Sequence, residues 1–246
     1  MICKKVLKLL QTRLLKTIWF NFKMLPFTQA IKLPIWLYGK ISFRSLNGNI
    51  VINGPITSGM VKIGKNDHYV ATSIPYCIWT IRGTIIFNGP INFFMGSYVL
   101  VSDGATLSLG KYPTFIGSNI KIFCFSNISI GDCVRLAWDC QIIDTSFHYI
   151  ERMNVDDPVL PLIKPIRIGN RVWIGNRTTI SRGAVIPDDA IIASNSLVNK
   201  DFSQIPPYSM LAGSPAVLRG SGLKCIFDEG IQLELDKLFN YTRTRL

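Results

Sequence analysis

The chain has two histidines, and one of them stands where a proton acceptor would be of use. In the run Asp144-Thr145-Ser146-Phe147-His148 an imidazole follows a carboxylate by four residues. Imidazole takes up a proton near neutral pH, and a carboxylate that holds one ring nitrogen sets the tautomer and strengthens the base. His148 is therefore the candidate general base and Asp144 its candidate orienter. Ser146 lies close by, but its place in the surrounding pattern points it into an interior, and no serine or cysteine forms an evident nucleophile pair with His148. The other histidine, His68, has no such context and reads as a surface residue.

The elements that must hold this run declare themselves by their period. A bulky aliphatic recurs every six residues at Ile168, Ile174, Ile180, Ile186, Ile192 and Val198. Four residues after each of the first five comes a smaller or branched one: Val172, Thr178, Ala184, Ala190 and Ser196. Between them fall Asn170-Arg171, Asn176-Arg177, Arg182-Gly183, Asp188-Asp189 and Ser194-Asn195, pairs rich in residues that tolerate corners and the left-handed backbone region. A helix, at about 100° per residue, would scatter positions six apart around its surface. The period instead predicts short strand, corner, short strand, in a parallel β-helix whose stacked coils bury one interior column.

The same frame runs through Ile116, Ile122 and Ile128, slips by two, and resumes at Ile130, Leu136 and Ile142, with Val134, Cys140 and Ser146 as the small partners. The chain then leaves the coil after His148 and rejoins it near Ile166. An excursion that interrupts a regular scaffold, here residues 149–165, is a usual seat of function. From Asn47 to Asn119 the period is looser. Asn-Gly-Pro-Ile, at Asn53–Ile56 and again at Asn88–Ile91, marks two equivalent corners of successive coils.

With 48% apolar and 17% charged residues among 246, wholesale disorder is excluded. The net charge of +12 belongs to the N-terminal part, where eleven Lys and Arg precede Asp67, the first acidic residue. Residues 4–24 are expected as a basic amphipathic helix with apolar side chains at Val6, Leu7, Leu10, Leu14, Ile18 and Phe22. Two roles compete for it. Either it lies on an anionic membrane surface, with Trp19 and Phe20 at the interface, or it caps the open end of the solenoid. Leu25 to Lys40, broken by Pro26 and Pro34, is expected as an extended connector. Cys225 to Asn240 is expected as a short amphipathic helix packed on the last coil. The organisation predicted is thus an N-terminal helix and connector over 1–45, a β-helix over 46–220 with an excursion at 149–165, and a helical cap over 221–246.

Six cysteines without a CxxC pair are expected as free thiols, several filling the coil interior. Two histidines argue against a zinc site. No apolar run reaches the roughly 20 residues of a membrane span, and no nucleic-acid-binding motif accompanies the basic N-terminus. The expected location is the cytoplasm, peripheral at the inner face of the membrane if residues 1–24 bind lipid.

The run Ile168-Gly-Asn-Arg-Val-Trp-Ile-Gly-Asn-Arg177, the hexapeptides after it and the closing Ala212-Gly-Ser-Pro-Ala216 resemble the hexapeptide-repeat acyltransferases. Among these, the chain is most similar to the O-acetyltransferases of bacterial polysaccharide clusters. The likeness is strong over residues 116–220 and weaker over 45–115. It alone implies an all-β, left-handed β-helix, since parallel crossovers are otherwise right-handed. Asp144 to His148 matches the segment that carries the catalytic histidine in that group. The resemblance further implies a homotrimer, acetyl-CoA in a groove between neighbouring solenoids, and a sugar or polysaccharide hydroxyl approaching His148. Gly175 and Asn176 then lie near the thioester carbonyl, with the Asn176 N–H as oxyanion donor. Pantetheine contacts fall at Asn176, Ser194 and Asn199, and cationic phosphate partners at Lys200 and Arg219. The sequence departs from the pattern at Ala193-Ser194-Asn195-Ser196, usually Gly-Ala-Gly-Ser, and at Val217, often a basic residue. Phe147, Trp173 and Trp138 either line the acceptor pocket or fill contacts between subunits. The leading expectation is an acetyl-CoA-dependent O-acetyltransferase without a metal. The alternatives are an N-acetyltransferase on an amino sugar with the same donor and base, and a non-catalytic hexapeptide scaffold.

Overall fold

Each hexapeptide of the regular region makes a strand of two or three residues and then a corner. In the computed structural model, which describes residues 12–66, 76–153 and 159–241, all six bulky aliphatics from Ile168 to Val198 and all five small partners from Val172 to Ser196 are buried. The corners turn at Arg171, Arg177, Gly183, Asp189 and Asn195, six residues apart, with φ between 53° and 78°. These are the second members of the predicted pairs. His68 and residues 1–11 lie outside the described residues.

Every third strand pairs in parallel, so three sheets of nine, seven and six strands run the length of the solenoid around one apolar column. We call them the first, second and third sheets, beginning at Ile35–Leu37, Lys40–Leu46 and Asn49–Ile52. In the regular half Trp173 pairs with Ile191 and Thr179 with Leu197, each 18 residues on, or three hexapeptides. In the looser half Ile35 pairs with Val61 and Val61 with Ile91, because longer corners separate strands of the same kind. The two Asn-Gly-Pro-Ile corners do stack, with Asn53 Nδ2 donating to Asn88 Oδ1 at 2.8 Å.

The structure departs from expectation at both ends. Residues 25–40 are not an extended connector: helix α1 (Leu14–Met24) is followed by a one-turn helix α2 (Phe27–Ala30), and Ile35–Leu37 already belongs to the first sheet. Pro26 precedes α2, a place where a missing N–H and a fixed φ cost little. Helix α1 closes the open end of the first coil. Asn21 accepts from the Ile35 N–H and donates to the Ile35 carbonyl, and Thr17 Oγ1 accepts from the Leu37 N–H, so the edge strand is paired by side chains.

At the other end, Val217–Gly220 pairs antiparallel with Met210–Ala212 and closes the last coil. Helix α3 (Glu229–Leu238) follows, capped by Asp228 accepting from the Ile231 N–H. The chain leading into it turns back to the middle of the first sheet. There Arg135 Nη2 donates to the Phe227 carbonyl at 3.2 Å and its guanidinium lies 4.8 Å from the Phe227 ring.

Candidate active site

The excursion is a β-ribbon rather than an irregular loop. It grows from the corner between the second and third sheets, after the strand Gln141–Ile143. Thr145 bridges Ile163 in antiparallel fashion, Ser146 N donates to Leu162 O, and Ile150–Glu151 pairs with Val159–Leu160. Arg182, in the equivalent corner of the next coil, pins the ribbon by donating from Nη1 to the Pro161 carbonyl at 2.7 Å. The sequence marked Arg182 only as a corner residue. Its part in holding the excursion depends on coil stacking.

His148 is exposed on this ribbon. Ser146, expected as an interior filler, is instead partly exposed, and its Oγ donates to the His148 carbonyl at 2.9 Å. Phe147 turns the chain with φ 59°, an uncommon conformation for a bulky residue, stabilised in part by its N–H donating to Thr145 Oγ1. The left-handed turn arrives two residues later than the hexapeptide frame would set it after Asp139, at φ 58°. That delay is the local event that lifts His148 off the coil.

Asp144 does not serve as the expected orienter in this chain. Its side chain is fully buried, and its two oxygens accept from the Phe125 and Ser126 N–H groups of the preceding coil, each at 2.8 Å. Burial pushes this carboxyl above its ordinary range, against the lowering effect of those N–H donors. Its work is to tie the root of the ribbon to the coil beneath. The four-residue spacing to His148 could not reveal this, because the competing donors lie 18 and 19 residues back.

An aromatic shelf adjoins the base. Phe147 is half exposed and meets Phe125 and Phe123 edge-on, with centroids 5.6 and 6.0 Å away. Phe123 in turn meets Tyr98 at 5.0 Å, and the Arg44 guanidinium bonds the Tyr98 hydroxyl at 2.9 Å. Lys121, exposed, is the strand neighbour of Tyr98. None of Phe123, Phe125, Tyr98 and Arg44 stood out in the sequence: Tyr98 lies where the period is loose, and Phe123 and Phe125, though next to the phased Ile122, gain their meaning only from the ribbon that reaches them. The strands of the second sheet carry no acidic residue, so its outer face beside Phe147 sets aromatic rings next to Arg44 and Lys121 without a carboxylate on the strands.

The expected donor residues lie elsewhere. Gly175, Asn176, Ser194 and Trp138 sit at the corner between the first and second sheets, where Ser194 Oγ donates to Asn176 Oδ1 at 2.6 Å. Arg219 reaches the head of that corner beside Gly213. Gly175 has a structural reason of its own: a Cβ there would meet the Ser194 backbone nitrogen at 2.6 Å. Asn199 and Lys200 belong to the other corner, on the His148 side, where Lys200 Nζ lies over the Phe202 ring at 5.2 Å. Trp173 is on the outer face of the first sheet next to Arg135. One chain thus gathers His148 and Phe147 on one edge of the second sheet and Gly175, Asn176, Ser194 and Trp138 on the opposite edge. Among the described residues, no group of three or more His, Cys, Asp or Glu side chains is placed to hold a metal ion.

No model of a known protein family matches the sequence, and no curated protein matches it. Solved structures do. The polySia-specific acetyltransferase NeuO is 17% identical over 84% of this chain and 85% of its own, with a TM-score of 0.60. The polysialic acid O-acetyltransferase OatWY is 20% identical over 82% of this chain and 99% of its own, with a TM-score of 0.50. At these identities the likeness is one of fold: the chain has the left-handed β-helix of the hexapeptide-repeat acetyltransferases.

Proposed function

We propose that this chain is an acetyl-CoA-dependent O-acetyltransferase that acylates a sugar hydroxyl of a bacterial surface polysaccharide or its precursor, with His148 as general base. The observation that carries this reading is the placement of His148, exposed on the one ribbon that interrupts the coils among the described residues, with its carbonyl held by Ser146 and an aromatic shelf at its side. An imidazole exposed there can take the hydroxyl proton as the sugar oxygen bonds to the thioester carbon, then return it to the departing thiolate sulfur. The developing oxyanion falls to a backbone donor, for which the Asn176 N–H is our assignment. Sugar faces stack on aromatic rings, a use that suits Phe147 and its neighbours.

Because His148 and Asn176 lie on opposite edges of the second sheet, a complete site draws on two copies of the chain. This supports the homotrimer, with acetyl-CoA between the donor edge of one copy and the base edge of another. Trp138 and Trp173 then line or close that groove from the donor side, and Arg219 is the better placed of the two phosphate partners. The test is thiol release and acetyl transfer by purified protein, with the product treated with mild alkali. An ester is cleaved and an amide survives, which separates O- from N-acetylation. Failure of acetyl-CoA to raise the melting temperature, together with full function after His148→Ala, would leave only the scaffold.

A further inference from the structure

Helix α1 is built inside out. At about 100° per residue, Thr17, Phe20, Asn21 and Met24 share one arc, while Leu14, Ile18, Phe22, Leu15 and Trp19 share another of roughly 140°. The first set is buried, and two of its four members are polar because they satisfy the open backbone edge of the first strand. The second set, wholly apolar, faces out: Leu15 is 85% exposed and Trp19 49%, with Leu14, Ile18 and Phe22 between 37% and 45%. Phe27 at 68% and Ile31 at 60%, from the next turn of chain, extend the patch. A capping helix alone would bury its apolar arc. Large aliphatic and aromatic side chains concentrated in this way mark a surface that something else covers.

The charge around the patch identifies the occupant. Lys16, Lys23 and Lys32 fall beside it, Arg13 at the N-cap donates to the Gly39 carbonyl, and no Asp or Glu precedes Asp67. Lys16 is tied inward, donating to the Ile41 carbonyl with its ammonium 5.3 Å from the Phe43 ring, while Lys23 and Lys32 are exposed. An apolar face carrying Trp and Phe, with lysines along its border, is suited to the boundary of an anionic bilayer, where the rings enter the acyl region and the ammonium groups meet phosphates. We propose that α1 and Phe27–Ile31 form a membrane-docking surface specific for anionic lipid, so that one helix caps the solenoid with its buried arc and holds the protein on a membrane with its exposed apolar arc. No helix among the described residues is long and apolar enough to cross a membrane, and this surface would lie on it instead. The strand before the His148 ribbon is four places along the second sheet from its first strand, roughly 19 Å at about 4.8 Å per strand, which sets the base within reach of an acceptor presented near the bilayer.

The test is flotation of the full chain with vesicles of phosphatidylglycerol and phosphatidylcholine, against phosphatidylcholine alone, without acetyl-CoA or acceptor, so that its outcome is independent of the catalytic reading. Binding to the anionic vesicles only, weakened as salt approaches about 1 M, is expected. Leu15→Ser, Trp19→Ser and Phe22→Ser together should lower it at least about a hundredfold. Lys23→Glu with Lys32→Glu, which leaves the apolar arc and the strand-capping groups intact, should lower it about tenfold. Absence of wild-type binding, or binding unchanged by both variants, overturns the proposal. So does a fall in oligomeric mass by light scattering in the triple variant, which would make the patch a contact between copies.

Discussion

The two long edges of the second sheet are made by opposite means. On the edge toward the first sheet the corners at Asn176-Arg177 and Ser194-Asn195 stack in frame, left-handed at Arg177 and Asn195 one coil apart and linked by Ser194 to Asn176. On the edge toward the third sheet the frame fails at Asp144, a ribbon leaves the coil, and a histidine stands on it. A stacked row of corners offers a long ligand the same backbone groups again and again. A single reactive group has to be placed once, which needs an exception to the repeat. In the function proposed above, donor binding falls to the regular edge and proton transfer to the irregular one.

The sharpest way to break this division is His148→Ala, for which we expect a loss of about 10²- to 10⁴-fold in kcat with an unchanged melting temperature. Retention of near wild-type turnover would remove the base from that edge. Substitution on the repeat should do the reverse. Ile180→Ala, at a fully buried coil position, should cost about 2–5 kcal/mol in urea unfolding whatever its effect on turnover. Asp144→Ala strips the acceptor from two N–H groups and should cost about 1–3 kcal/mol while loosening the ribbon root. If activity fell but stability did not, Asp144 would return as a partner of the base. Arg182→Ala and Ser146→Ala disturb only the hold on the ribbon, so kcat should fall about tenfold with the donor KM unmoved.

Whether the two edges act across copies is open to complementation. Ser194→Trp, at an exposed donor corner, and His148→Ala should each be inactive, and mixed oligomers should regain turnover. No recovery would return both edges to one chain. The smallest effect concerns the column between the edges. Burial pushes the thiols of Cys124 up to about 12 and Cys140 up to about 11, so both should resist alkylation at pH 8 until the fold is lost. Since these folded values exceed the unfolded thiol value of about 8.5, their contribution to stability is complete below that pH and lost as pH rises toward 11 to 12. Mass mapping after native and denatured alkylation checks the first point, and urea midpoints across that range check the second.

Much of the scaffold was legible because a hexapeptide repeat writes itself locally. Ile168 to Val198 could be assigned to the interior from spacing alone, and the second residue of every predicted pair has the positive φ that a corner requires. The N-terminal coils resisted because their corners vary in length, so Tyr98 has no face that the spacing alone assigns. Ser146 was misplaced for a related reason: the frame had already failed when it was extrapolated to that residue. Helix α1 was legible as amphipathic. Of the two roles expected for it, the structure shows the cap, made by the arc that carries Thr17 and Asn21.

What the sequence determined by itself was the solenoid, its core, its corners and the point at which regularity ends, since each follows from a period within a few neighbouring residues. What only the tertiary structure decided was who meets whom across coils. Asp144 binds the coil beneath rather than His148, Arg182 reaches the ribbon, and His148 and Asn176 stand on opposite edges of one sheet. The reason is physical: in a solenoid each side chain answers to the residue one coil away, and that distance in sequence is set by corner lengths that no local pattern records.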